Sequence, residues 1–575
     1  MRPYILPDPE AARVPGVLLF LFCFVYLLTG LTPRSPWGTA DATGFGIALT
    51  MAQGGLEQWL MPSVFGLAQV QESPLAYWLL AGAIRLGEPW LGEHPSALLA
   101  TGLLVAPGLY FVWKSALLFA ARPEVQPSDP FGASAARPTI ARTMADAALL
   151  VTLACCGLIV RLHETTAEAI QFTWMALLLY GGALVIERPR RGGLLSGLAL
   201  GASALCSGPL LAMLLAAGWL VAQALGDPQR LVARDSIPIA LGTALLVFAV
   251  WPLALVLTQT EGLAWLSAWW QANGLMLGTT QATLVDLART LPWFVWPAWP
   301  LALWTLIRWR ALWREPALAL PLCCAAAVIA SLLLQSRAPE QAMIPLTIPL
   351  ALLAVWGLPT IARGLVGLLD WMAVALFSAF GIFIWGYWIA LQTGYPPRMA
   401  LSANRLAPGH ANEDALWTGL IGLIVTLSWL WLIRWRTAPG PRLLWRPMVL
   451  SASGLVLAWV LLVSLWLPVF DERKSLRGPA REAATMIGIR ADEPSTAQPC
   501  VTARHLNAAQ RVGFAHFGAI RFGAAGEACR WLLSTNDALP PDAATGSSGP
   551  GWAQVWQGGR RFEPGERFTL FRRVD

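Results

Sequence analysis

The sequence predicts a mainly α membrane protein: a polytopic helical bundle of about thirteen spans with a small soluble carboxyl-terminal α/β domain. Three observations predict it. Of 575 residues, 56% are hydrophobic and only 13% charged, and mean hydropathy is +0.56, whereas about a quarter of a typical soluble domain is charged. The apolar residues fall in repeated runs of roughly 20, the length at which a helix crosses the hydrocarbon while satisfying its own backbone. The net charge of +7 is carried almost entirely by Arg, in short clusters between those runs. That is a topology signal, not the single basic patch that would bind nucleic acid, so no nucleic-acid partner is expected. A disordered chain, a disulfide scaffold and a cytosolic enzyme are excluded by the same composition.

The predicted spans are residues 14–32, 96–120, 139–160, 168–186, 192–206, 209–225, 236–258, 290–307, 317–334, 342–361, 366–391, 415–433 and 447–467. The first is too long, and too poor in a small-residue cleavage site, for a signal peptide. With the amino terminus cytoplasmic, alternate loops carry Arg122 and Arg137, then Arg188, Arg190 and Arg191, Arg230 and Arg234, Arg308, Arg310 and Arg314, Arg363, and finally Arg434, Arg436, Arg442 and Arg446. Positive-inside bias then puts the carboxyl terminus outside, which for a bacterial cytoplasmic (inner) membrane is the periplasm.

The expected division is a membrane domain, 1–469, and a periplasmic domain, 470–575. Within the first outer loop, 33–95, the stretches 42–53 and 74–86 repeat apolar residues at helical spacing but are too short to span. They read as interfacial helices lying on the outer leaflet, ordinary loop helices packed on the bundle being the plain alternative. Six of the eight cysteines lie in apolar runs; Cys500 and Cys529 do not, and an oxidising compartment lets them pair. The stretch PPDAATGSSGPG reads as a loop and RFTLFRRVD as a final strand.

Few acids face outward. Asp41 follows the helix-breaking PRSPWGT, as an N-cap for a helix from Ala42 or as a group doing chemistry at the membrane boundary. The turn RLHETTAEAIQF crowds Arg161, His163, Glu164 and Glu168 together; it is a solvated turn capped by Thr165 or Thr166, or a place for acid–base work. SRAPEQ holds Arg337, whose guanidinium suits a lipid phosphate or an ordinary headgroup, as does that of Arg85. No nucleotide-binding loop, zinc-protease or nucleophile-elbow motif appears in plausible context. Acids along the spans are scarce, Asp370 being the main one, which disfavours a coupled transporter.

Three stretches carry a family resemblance: TADATGFGIALTMAQGG continuing to MPSVFGLAQVQESPLAYWLLAGAIRLG, then GGLLSGLALGASALCSGPL, then SRAPEQAMIPLTIPLALLAVWGL. They resemble the first outer loop with its EKPPLYYW-like motif, the TKGP segment and the SRxxxYxLPLxP loop of the GT-C membrane glycosyltransferases of the protein O-mannosyltransferase and lipid A aminoarabinose transferase type (families 39 and 83). The resemblance implies a transferase that takes a sugar from a polyprenyl (undecaprenyl) phosphate donor and attaches it to a lipid or glycan acceptor such as lipid A, or to a protein, outside the cytoplasmic membrane. It implies catalytic roles for Asp41 and Glu164. It implies donor-phosphate or substrate contacts for Arg337, Arg85, His163, Glu72 and Glu168. The chain departs from the family at Ala42, where a second acid would stand, and at Ser73 and Ser207, where lysines would. A divalent metal, used by some members, is not expected beside Ala42, nor is another cofactor. The alternative is a non-catalytic lipid-binding or assembly protein that keeps the GT-C fold.

Overall fold

The computed structural model describes residues 6–8, 10–31, 34–127, 134–225, 235–273, 281–335, 339–406, 415–438, 444–489, 498–523, 527–535, 551–560, 563 and 565–574. Helices occupy every predicted span, and their ends follow the local chemistry. Gly208, at φ 89°, separates the helices Pro189–Ser207 and Pro209–Leu225, a backbone angle that glycine adopts without strain. Among the described residues, seven helices are long and apolar enough to cross a membrane by length and composition.

Two spans read as continuous are broken. Residues 139–160 form the helix Arg137–Leu153 and a short turn Leu158–Arg161, while 290–307 is split between Gln281–Phe294 and Ala298–Arg308. The two breaks satisfy each other: Cys156 N–H donates to Trp296 O at 3.0 Å and Gly157 N–H to Phe294 O at 2.9 Å. Backbone groups freed inside a bundle must find such partners, and a window of hydropathy cannot register that they have.

Packing sorts the helices into inner and outer. Ile344–Gly357 is buried along nearly its whole length, whereas Arg363–Thr393 and Ala415–Thr437 turn Ile382, Phe383, Leu416 and Trp417 outward, as lipid-facing helices do. Gly193, Gly197 and Gly201 recur every fourth residue on Pro189–Ser207, against the Ser236, Ala240 and Ala244 carbonyls of Ser236–Thr258. A Cβ at Gly193 would lie 2.6 Å from the first of these carbonyls and at Gly201 2.7 Å from the last. Small residues at this spacing let two membrane helices approach backbone to backbone.

At one end of the bundle the residues before the first span meet other loops: Leu444 N–H donates to Glu10 O at 3.1 Å and Trp445 Nε1–H to Ala12 O at 2.8 Å. At the other end lie the first loop and the carboxyl-terminal domain. That loop holds the helices Thr39–Gln53 and Leu75–Leu91 and a two-stranded hairpin, β1 (Ser63–Val64) with β2 (Leu67–Ala68).

The carboxyl-terminal domain is a five-stranded mixed sheet with two helices, Arg477–Ile487 and Ala508–Gly518. Its strands are β3 (Cys500–Arg504), β4 (Arg521–Phe522), β5 (Trp531–Thr535), β6 (Trp552–Gly558) and β7 (Phe568–Arg573), in spatial order β4-β3-β5-β7-β6. β3 runs parallel to β4 and β5; β7 runs antiparallel to β5 and β6. Val501, Phe514, Leu533, Phe568 and Leu570 form its core. Cys500 and Cys529 form a disulfide, and the expected final strand is β7; most of the expected loop from 540 lies outside the described residues.

The helix Ala508–Gly518 lies on Thr39–Gln53. A Cβ at Gly46 would run into the Val512 methyl, Arg511 donates to Phe65 O at 3.0 Å, and His516 Nδ1 meets Glu93 Oε2 at 2.8 Å. Thr39–Gln53 is therefore an inner layer covered by the carboxyl-terminal domain, where the sequence reading laid the stretch 42–53 on the outer leaflet.

Candidate functional site

Three segments far apart in sequence converge beneath the carboxyl-terminal domain: the start of the first loop, the turn 161–168, and the short helix Glu340–Met343. The join between the first two is Asp41. Its helix begins at Thr39, with Gly38 before it, so Asp41 does not cap its own helix. Its carboxylate reaches across: Oδ1 accepts the Thr165 N–H and the Thr165 hydroxyl, each at 2.8 Å, and Oδ2 accepts Arg34 Nη1 in a close ion pair. The side chain has no exposed surface. Burial alone would raise its pKa, but Arg34 and the Thr165 N–H hold the carboxyl below the usual carboxylate range.

Arg34 was not singled out by sequence. It also donates to the Ser35 and His163 carbonyls and sits 5.3 Å from the Trp37 ring. The signal for it was an arginine in a helix-breaking segment seven residues ahead of the acid. Ser35 is tied in turn to the end of the last span: its N–H and hydroxyl donate to Asp471 at 2.6 and 3.0 Å.

Glu164 sits differently. Its Oε1 accepts Arg161 Nη1 at 2.7 Å, and its Oε2 has no hydrogen-bond partner among the described residues. Burial raises its carboxyl to about 7; Asp41 pushes the same way, against Arg161 and Arg34. Arg161 continues to Glu340, donating to Oε2 from Nε at 3.2 Å and from Nη2 at 2.7 Å. These bonds use three of the five N–H groups of a guanidinium. Thr166 is the cap of the next helix, accepting from Ala169 N–H at 3.4 Å.

Two adjoining cavities meet at Glu72 and Glu168. One, of about 700 Å³, lies under the carboxyl-terminal domain and is lined by Thr39, Arg161, Glu164, Gln341 and Asn507 together with those two acids. The other, of about 460 Å³, runs between spans: Leu210, Leu211, Val328 and Leu332 make its walls, and Gln71, Asn273 and Ser207 join the two acids at its polar end. Glu72 accepts the Tyr77 hydroxyl at 2.6 Å, and burial holds its carboxyl above the usual range against that bond.

Of the residues singled out from sequence, Glu72, Glu164 and Glu168 line the cavities and Asp41 stands behind them. His163 does not: its ring nitrogens face the Ile159 and Tyr26 carbonyls at 2.9 and 3.1 Å, the ring stacks on Trp459, and burial lowers its pKa to about 4. Arg85 is elsewhere as well. It closes the far end of Thr39–Gln53, donating to the Ala52 and Gly54 carbonyls at 2.7 and 2.8 Å over the Trp59 ring. At 1.5 Å per residue that is about 15–20 Å from Asp41. Arg337 lies outside the described residues; Pro339, two positions on, lines both cavities. Ser73 accepts Trp269 Nε1–H at 3.3 Å, and the Ser207 hydroxyl is buried without a partner among the described residues.

Among the described residues, the one group of three or more ligand atoms within 4.8 Å of one another is Cys500, Glu527 and Cys529, and its two sulfurs are joined to each other.

The polytopic bundle, with its first loop folded back under a small mixed-sheet domain, has the GT-C fold. The same fold is seen in two crystal structures of ArnT from Cupriavidus metallidurans. The one bound to undecaprenyl phosphate superimposes with a TM-score of 0.62 over 96% of this chain and 97% of that one, at 15% identity. The apo form gives 0.61 over the same shares, at 13%. No protein-family profile matches the sequence, and no curated protein does.

Proposed function

We propose that the protein is a glycosyltransferase that moves a sugar from a polyprenyl (undecaprenyl) phosphate donor to an acceptor, lipid A, another glycan or a protein, at the junction of the two cavities. The observation that carries the reading is that junction: an apolar-walled slot between spans ends at carboxylates, where a second cavity opens under the carboxyl-terminal domain. An isoprenoid chain buries apolar surface in the slot, which is favourable by about 25 cal/mol per Å², and leaves its sugar at the acids. The acceptor enters beneath the carboxyl-terminal domain, which supplies Asn507 and Ala508 to the wall. The unused N–H groups of Arg161 meet the charge that develops on the departing phosphate, a role the family resemblance also gives Arg337. The proposed setting is the bacterial inner membrane, with the amino terminus cytoplasmic and the carboxyl-terminal domain periplasmic. No step is routed through a metal.

A second reading, a lipid-binding or assembly protein that keeps the fold without catalysis, is favoured by one observation: no lysine or arginine is among the described residues lining the slot, where Ser207 stands. Transfer of radiolabelled sugar from a panel of polyprenyl phosphate sugars to envelope acceptors decides between them. Wild-type membranes are expected to transfer label, and Leu332→Trp, which fills the slot, to lose it. Absence of transfer from every donor, with undecaprenyl phosphate still raising the melting temperature of the purified protein, would establish the second reading.

A further inference from the structure

We propose that Glu164, not Asp41, takes the proton from an acceptor hydroxyl, and that Asp41 is a positioning residue for the turn that carries Glu164. The proposal rests on the transferase reading above and divides the labour of its acids. A general base must reach the proton it removes, within hydrogen-bond distance in a plausible pose. Asp41 does not meet that condition. Both its oxygens are engaged, by Arg34 and by the Thr165 N–H and hydroxyl, and it has no surface toward either cavity. What its bonds do is pin residue 165 to the first loop, immediately beside Glu164. Arg34 adds a bond to the His163 carbonyl on the other side of the same acid. Glu164 lines the larger cavity with 8% of its side chain exposed, and its Oε2, itself buried, is left without a hydrogen-bond partner among the described residues, whereas both Asp41 oxygens are engaged.

The charges around it fit the task. Arg161 on its own turn holds Oε1 and is shared with Glu340; Arg34 and Asp41 face it from the first loop, and Glu168 lies one helical turn on. Burial and Asp41 keep the carboxyl near the pH at which a base both exists ionised and accepts a proton readily. The cavity also specifies the acceptor. Arg161 is the single cation among its described lining residues, beside Glu72, Glu164 and Glu168, which suits a neutral hydroxyl, the class of acceptor that requires a base.

The step balances. The acceptor O–H proton passes to Glu164 Oε2 as the acceptor oxygen bonds to the anomeric carbon. The bond from that carbon to the phosphate oxygen breaks on the opposite face, and the electron pair leaves with the polyprenyl phosphate, inverting the centre. Glu164 then returns the proton to water.

The test is the pH profile of kcat/KM for full-length protein with a polyprenyl phosphate sugar that the wild type uses. The wild-type rate is expected to rise through pH about 7. Glu164→Gln is expected to lose about 100-fold or more together with that limb, and Glu164→Asp to recover part of both. Asp41→Asn and the milder Thr165→Val are expected to lower the rate and the melting temperature while keeping the limb in place. A limb that survives in Glu164→Gln, or that disappears in Thr165→Val while Glu164→Gln stays within tenfold of wild type, overturns the assignment alone. Absence of transfer by the wild-type protein overturns the transferase reading, and the assignment with it.

Discussion

Two glycines in one helix test whether the first loop is locked to the turn 163–166 as tightly as described. Gly44 lies one turn after Asp41, and a Cβ there would fall under 3.0 Å from the Thr165 carbonyl oxygen, with the carbonyl carbon at 3.1 Å. Backbone does not swing aside, so Gly44→Ala must lift the helix Thr39–Gln53 from the turn. Alanine gains about 1 kcal/mol of helix propensity. Against it stand the two bonds from Thr165 to the Asp41 carboxylate, each on the order of 1.5–3 kcal/mol because the acceptor is charged. The net expectation is a loss of roughly 2–5 kcal/mol, with most transfer activity lost. Gly46→Ala, two residues on, meets the Val512 methyl of the carboxyl-terminal domain and, at 3.2 Å, a methyl of Val64. Its cost is about 1–3 kcal/mol of overpacking, partly offset by the same helix gain, and it falls on the docking of that domain. Melting followed by tryptophan fluorescence in detergent, with transfer measured alongside, separates the two. If Gly44→Ala melts at the wild-type temperature and transfers at the wild-type rate, the lock does not exist.

Stability and the proposed chemistry should oppose each other in one pH window. Glu164 titrates near 7 when folded and near 4.3 when unfolded, so between those values the folded state holds the extra proton and stability falls as pH rises. The expected drop is about 4 kcal/mol across the window, absent in Glu164→Gln; an equal slope in that variant would refute it. Replacing Cys500 and Cys529 by serine should cost the carboxyl-terminal domain about 2–4 kcal/mol, seen as faster proteolysis within 498–574 while the spans stay protected. Arg85→Ala should cost about 1 kcal/mol through the lost carbonyl bonds and leave transfer within twofold; a tenfold loss would return Arg85 to the substrate.

The spans were legible because lipid leaves a helix no choice but to be long and apolar, and where legibility failed the cause was pairing between distant segments. Nothing in 139–160 or 290–307 alone says that both break, since each break is satisfied by the other. The crowded turn at 161–168 was visible as a local excess of charge, and Asp41 as an acid after the first span. Their relation was not visible, because it runs through Arg34 and Thr165, residues ordinary in their own windows. His163 looked like an acid–base group by type, yet it is spent on two carbonyls and a stacked indole. Residue type is local information; which groups remain unengaged is settled by the rest of the chain.

The bond between Ser35 and Asp471 joins positions 436 apart in the chain. A ribosome adding roughly 5–20 residues per second needs about 20–90 s to pass from one to the other. Through that interval the first loop has emerged and can join the turn 163–166 through Asp41 and Arg34, but its entry lacks the Asp471 anchor. The carboxyl-terminal domain that roofs the loop is made later still. A chain cut short before its last span therefore lacks both the Asp471 anchor at the entry of the first loop and the domain that covers its acids.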